Sequence, residues 1–179
     1  MFVGGELFDD VDNFDIIIDL FEFAAKKMKN NVIDLLYVNT NLLYSDLAML
    51  MKFLDIFNSY NLLPKIKFTT SYDIYGRYET DEKEKQFISN LKSIKSTFND
   101  LNIVVNSILT KQLCESILNK KFSIKDFCNL FSVKINTVPY INFNDELLAD
   151  RYTIFKTLLY INNEIPGFLE SYIYDMDIK

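Results

Sequence analysis

Three charged side chains, Glu6, Asp73 and Arg77, stand among neutral polar residues that recur after short apolar runs: Asn39-Thr40-Asn41, Ser71, Asn106-Ser107 and Asn136-Thr137. Glu6 follows Gly4 and Gly5, a tight turn of the kind that closes a strand in an α/β domain. Together these groups would suit a small zwitterion, yet none is an evident general base. The chain has no His, which removes Ser-His-Asp and Cys-His nucleophilic sites and every imidazole-bound metal. Its two cysteines, Cys114 and Cys128, fit neither a structural zinc nor an iron–sulfur cluster held by this chain alone, and read as buried free thiols. Neither a catalytic residue nor a metal ligand emerges.

The elements that must position these residues follow from periodicity. Apolar, β-branched runs at Phe2–Val3, Leu35–Val38, Ile66–Thr70, Ile103–Val105 and Val133–Val138 predict strands, spaced at roughly thirty residues, the length of one strand-plus-helix unit. Helical patterns lie between them. Phe14, Ile17, Ile18, Phe21 and Ala25 mark one inward face, and Leu47, Leu50, Met51 and Leu54 a second. Phe87, Leu91, Ile94 and Phe98 mark a third within Asp81–Phe98, and further helices are predicted over Lys111–Leu118, Ile124–Leu130 and Arg151–Asn162. The expected fold is α/β, a parallel sheet of about five strands with βα repeats and right-handed crossovers. Strands apolar on successive residues imply a sheet covered on both faces. The polar residues above would then collect just beyond the strands' C-terminal ends, where ligands bind in such sheets. One domain is expected over 1–165, followed by an aromatic and acidic tail over 166–179.

Composition sets the class. With 49% apolar residues the chain is globular rather than disordered. No apolar run approaches the roughly 20 residues that cross a bilayer, and the acidic start is unlike a secretory signal, so a cytoplasmic protein without a membrane contact is expected. A net charge of −6 argues against direct nucleic-acid binding, which needs clustered Lys and Arg.

The strand ends, in order, resemble the partial barrel of radical S-adenosylmethionine enzymes. Gly-Gly-Glu follows the first strand, VNTN the second, FTTSYDIYGRY the third and IVVNSILT the fourth, over about residues 1 to 140. The resemblance implies an open partial barrel and a cofactor site in which Gly4, Gly5 and Glu6 meet the ammonium of S-adenosylmethionine. It places Ser71 and Asn106 near the ribose and Arg77 near the carboxylate. The family's triple-cysteine cluster loop, which precedes the Gly-Gly-Glu strand, has no counterpart here, and the chain reads as a barrel missing its first unit. Without the cluster no reductive cleavage of the cofactor is expected, and no cofactor is required.

A separate signal is charge. Glu6 to Glu22 holds seven carboxylates and no basic residue. Asp9, Asp10 and Asp12 suit the start of the first helix. Asp15, Asp19 and Glu22 read either as a solvated face or, with Asp9 and Asp10, as an acidic surface that docks on a basic groove. In the tail, Phe168, Tyr172 and Tyr174 either pack back on the domain or anchor a partner. The leading expectation is a non-catalytic, macromolecule-binding protein on a degenerate radical-SAM-like scaffold. Its size, acidity and AT-rich composition suit a phage or mobile-element inhibitor that docks on a basic, nucleic-acid-binding groove of a host defence nuclease. A homodimer is a further expectation, because an opened barrel must cover its edges. The alternative is an S-adenosylmethionine-binding protein or the cluster-less half of a split enzyme.

Overall fold

The computed structural model describes residues 8, 14–72, 80–139 and 149–169. Strands and helices alternate as the periodicity predicts: α1 (Phe14–Lys29), β1 (Leu36–Thr40), α2 (Ala48–Ser59), β2 (Ile66–Ser71), α3 (Asp81–Thr97) and β3 (Ile103–Leu109). They continue through α4 (Lys111–Leu118), α5 (Ile124–Phe131), β4 (Lys134–Pro139) and α6 (Arg151–Glu164). The Phe2–Val3 run lies outside the described residues. The four strands form a parallel sheet in the order β1-β2-β3-β4, so the fold is α/β.

Short polar residues start the later helices by accepting a hydrogen bond from an otherwise unpaired backbone N–H. The Thr110 hydroxyl accepts from Leu113 N at 3.2 Å, Ser123 from Asp126 N at 3.1 Å, and the Asp150 carboxylate from Thr153 N at 2.9 Å. Thr80 does the same for α3, whose first turn also carries Asp81, Glu82 and Glu84 where the helix dipole favours negative charge. At the other end of α5, Ser132 adopts the left-handed conformation at φ 50° that commonly terminates a helix.

The described residues fall into two compact units, one drawn from Met1–Ser71 and Thr80–Val104, the other from Tyr72–Glu79 and Val105–Lys179. In the first, β1 and β2 pair in register, with Leu36 opposite Ile66, Val38 opposite Phe68 and Thr40 opposite Thr70. These six side chains are buried. An aromatic group extends the core: Phe21 meets Phe53 edge-on with centroids 4.7 Å apart, and Phe8 lies 5.4 Å from Phe53. Each such ring contributes about 1.5–3 kcal/mol by leaving water. In the second unit, Leu109, Leu113, Cys114, Ile117, Ile124, Leu158, Ile161 and Phe168 form one core. Tyr72 and Phe127 stack beside Phe131, at centroid distances of 4.8 Å for each successive pair.

Two expectations are corrected. Among the described residues the β1–β2 pair is not covered on both faces. Burial along β1 alternates strictly, with Tyr37 and Asn39 exposed between buried neighbours, and β2 exposes Lys67 likewise. The reason is visible in LYVNT and IKFTTS, where every second residue is polar or amphipathic and satisfies itself in water. Nor do most of the polar residues lie beyond the strand ends. Asn39 and Thr40 are inside β1, Asn106 and Ser107 inside β3, and Asn136 and Thr137 inside β4. A ladder uses backbone groups only, so polar side chains on an open face do not interrupt it.

Candidate functional site

In the first unit the segment after β1 is held by hydrogen bonds with several side chains. Leu42 is fully buried and sits at φ 57°, a left-handed conformation that costs a branched residue about 1–2 kcal/mol. Neighbouring groups hold it there. Leu42 N donates to the Thr40 hydroxyl at 3.1 Å, and that hydroxyl also pairs with the Tyr44 hydroxyl. Leu43 N donates to Asn41 Oδ1 at 2.7 Å. From α3, the buried Asn90 amide donates to the carbonyls of Leu42 and Tyr44, both at 2.9 Å, and Gln86 reaches Tyr44 O at 2.6 Å. Strain maintained by this many partners marks a segment whose shape is fixed in advance.

The open face beside it is polar and weakly charged. Tyr37 lies under the Lys67 ammonium, 5.4 Å from centroid to nitrogen, and Thr69 bridges to Asn39 and to Val38 O. Ser71, the last residue of β2, is half-buried. On the covered face, Thr70 Oγ1 is shut from solvent with no hydrogen-bond partner, a desolvation cost of about 1–3 kcal/mol. Among the described residues the arrangement offers neutral hydrogen-bonding groups and one cation, which is chemistry suited to binding.

In the second unit, Asn136 Nδ2 donates to Asn106 Oδ1 at 3.5 Å, and both residues are half-buried. Asn106 O accepts from Tyr72 N at 2.8 Å. A cavity of about 720 Å³ opens near β4, with Lys125, Cys128, Lys134, Glu164, Gly167 and Phe168 among its walls. Burial pushes the Cys128 thiol up, against a backbone hydrogen bond at Ile135 that pulls it down. Burial likewise raises Cys114; both thiols are free, Cys114 buried as expected and Cys128 half-buried at the cavity wall. Burial and then the Glu164 carboxylate raise Tyr160. The Thr153 side chain and backbone, which donate to it, hold Asp150 below the usual carboxylate range. Among the described residues, no group of three or more Cys, Asp or Glu is placed to hold a metal ion. No helix among them is long and apolar enough to cross a membrane.

The outer surfaces of two helices carry the largest unexpected feature. On α1, Asp15, Asp19 and Glu22 are all exposed, and beside them runs an apolar stripe: Ile16 is 70% exposed, Leu20 43% and Phe23 57%. Glu22 pairs with Lys26 at 3.5 Å, an exposed i,i+4 pair of small consequence. On α6, Tyr152, Phe155 and Leu159 form a second exposed stripe, with Arg151 and Lys156 exposed beside it. Sequence reasoning assigned α1 a single apolar face and named none for α6. The missed signal was the residue set left over, at i, i+4, i+7 on α1 and i, i+3, i+7 on α6, which is itself a helical stripe.

Of the residues expected to hold a cofactor, Ser71 ends β2 in the first unit and Asn106 lies mid-strand in the second. Gly4, Gly5, Glu6 and Arg77 lie outside the described residues, as does Asp73. Of the expected partner contacts, Asp15, Asp19 and Glu22 share the outer side of α1, while Asp9, Asp10, Tyr172 and Tyr174 lie outside the described residues. Phe168 is buried in the second unit's core, which favours the packing role over the anchor. Compared with known proteins, the chain matches no family model and has no significant match among curated proteins.

Proposed function

We propose that this chain is a non-catalytic binding protein that docks the outer side of α1 on a basic, apolar-lined groove of another protein. The observation that carries this reading is the juxtaposition on one helix of Asp15, Asp19 and Glu22 with exposed Ile16, Leu20 and Phe23. Three carboxylates steer the helix toward a cationic surface and fix its register, while the stripe supplies desolvated contact area. A nucleic-acid-binding groove on a defence nuclease has the required chemistry, and occupying it would exclude the nucleic acid. A phage or mobile element is the setting such an inhibitor suits. The test is a pull-down with the tagged protein at low and moderate salt, beside the triple variant Asp15→Lys/Asp19→Lys/Glu22→Lys. A nuclease retained by the wild type, released by salt, lost in the variant and inhibited by the protein supports the reading. Equal capture by both proteins overturns it.

A second reading is S-adenosylmethionine binding on a degenerate radical-SAM-like partial barrel. A parallel sheet whose strands neighbour one another in chain order, without the reversal of a doubly wound sheet, suits a barrel sector. The polar open face, which in a barrel would be the inner one, favours it further. Of the expected cofactor residues, Ser71 in the first unit and Asn106 in the second are described, and each by itself carries a neutral group of the kind that bonds a ribose hydroxyl. Bound S-adenosylmethionine would supply a sulfonium and an amino-acid end, and this chain's part would be to hold them. Thermal stabilisation by saturating S-adenosylmethionine, lost in Ser71→Ala and Asn106→Ala, supports this reading, and no shift in the wild type overturns it.

A further inference from the structure

The surface that α1 requires in a partner is present on the chain itself. The α6 stripe is apolar, with Tyr152 65% exposed, Phe155 57% and Leu159 41%, and the neighbouring charges are the cations Arg151 and Lys156. The Lys156 ammonium lies over the Tyr152 ring at 4.4 Å, and Lys27 over Phe23 at 5.1 Å, so each stripe carries a cation at one ring. The two stripes match in spacing as well as charge. Along the chain the steps are four then three on α1, from Ile16 to Leu20 to Phe23, and three then four on α6, from Tyr152 to Phe155 to Leu159. Laid antiparallel they run in register, with Ile16 opposite Leu159, Leu20 opposite Phe155 and Phe23 opposite Tyr152. The same register sets Asp19 and Glu22 on the flank of the interface that carries Arg151, with Glu22 within a turn of it.

We propose that α1 of one copy docks on α6 of a second copy, acidic stripe against basic stripe. This rests on the reading of α1 as a docking surface and names a partner for it: the protein's own α6. Single exposed apolar residues are ordinary, but two continuous stripes of opposite charge are the pattern of an interface. Each contact joins two different patches, so two copies that exchange helices close a dimer, and copies that do not close continue as a chain. In either case self-association competes with a foreign partner for α1.

The experiment is sedimentation velocity over a range of concentrations at low and moderate salt, on three proteins. These are the wild type, the α1 variant Asp15→Lys/Asp19→Lys/Glu22→Lys, and the α6 variant Arg151→Glu/Lys156→Glu. All five positions are exposed, so thermal midpoints close to the wild type's are expected and establish folding. The wild type should associate at low salt and dissociate as salt rises. Each variant alone should remain a monomer, because its two stripes then bear like charge. Mixed in equal amounts, the variants should associate again, since the basic α1 of one meets the acidic α6 of the other and the remaining pair is likewise opposite. A wild type that stays monomeric at every concentration overturns the proposal, and so does a mixture that fails to associate. A monomeric wild type whose α1 variant still loses its nuclease partner ends this inference alone. If reversing α1 changes neither association nor capture, the parent reading fails with it.

Discussion

The two faces of the β1–β2 pair share one backbone and one register but differ in every other respect. On the covered side Leu36, Val38, Ile66 and Phe68 are almost completely out of water. On the other, Tyr37, Asn39, Lys67 and Thr69 meet solvent or half-meet it. A strand places successive side chains on opposite faces, so a single residue step separates a position that stabilises the fold from one that is free to serve binding. The difference teaches where mutation should act on stability and where it should act only on recognition.

Three substitutions sharpen or break this contrast. The largest effect is expected at Phe68→Ala, which removes a fully buried ring and should cost about 3–5 kcal/mol in denaturant unfolding. A loss below about 1 kcal/mol would mean that the covered face is not a packed core. Next comes Asn90→Ala, which leaves the carbonyls of Leu42 and Tyr44 without its two hydrogen bonds and should cost about 1–3 kcal/mol. Faster amide exchange confined to residues 41–47 would show that Asn90 holds the strained segment rather than the whole unit. The smallest effect belongs to Lys67→Ala on the open face. It should change stability by about 0.5 kcal/mol or less, since only a surface cation–π contact is lost. A large loss there would show that something covers this face in solution.

The helices present a parallel contrast. Ile17, Phe21 and Ala25 of α1 face the core, whereas Ile16, Leu20 and Phe23, of similar hydrophobicity, face water. Residue type does not distinguish the two sets; only angular position does. Reading the first set from periodicity was sound, but the same periodicity carried a second stripe that a search for one buried face overlooks. The strand ends erred in another way. Asn106 and Ser107 follow three β-branched residues and look like the start of a loop, yet β3 continues through Ile108 and Leu109. The alternation of Val105, Ser107 and Leu109 on the buried side is what extends it. Asn90 could not have been found in sequence. An Asn within a surface-type helix gives no sign of reaching two carbonyls more than forty positions away.

What the sequence determined by itself is therefore local: the alternation of strand and helix, the inward faces of the helices around β1 and β2, and the lack of any His-based chemistry. These depend on side-chain type and on spacing within one element, and both are written in the chain. Tertiary structure alone decided the rest. It left one side of β1 and β2 open, folded the segment after β1 into a left-handed turn held from α3, buried Phe168, and left apolar stripes on α1 and α6 in water. Each of these outcomes depends on which distant surface arrives to cover a group, and a periodic pattern states that a face is apolar without stating what covers it.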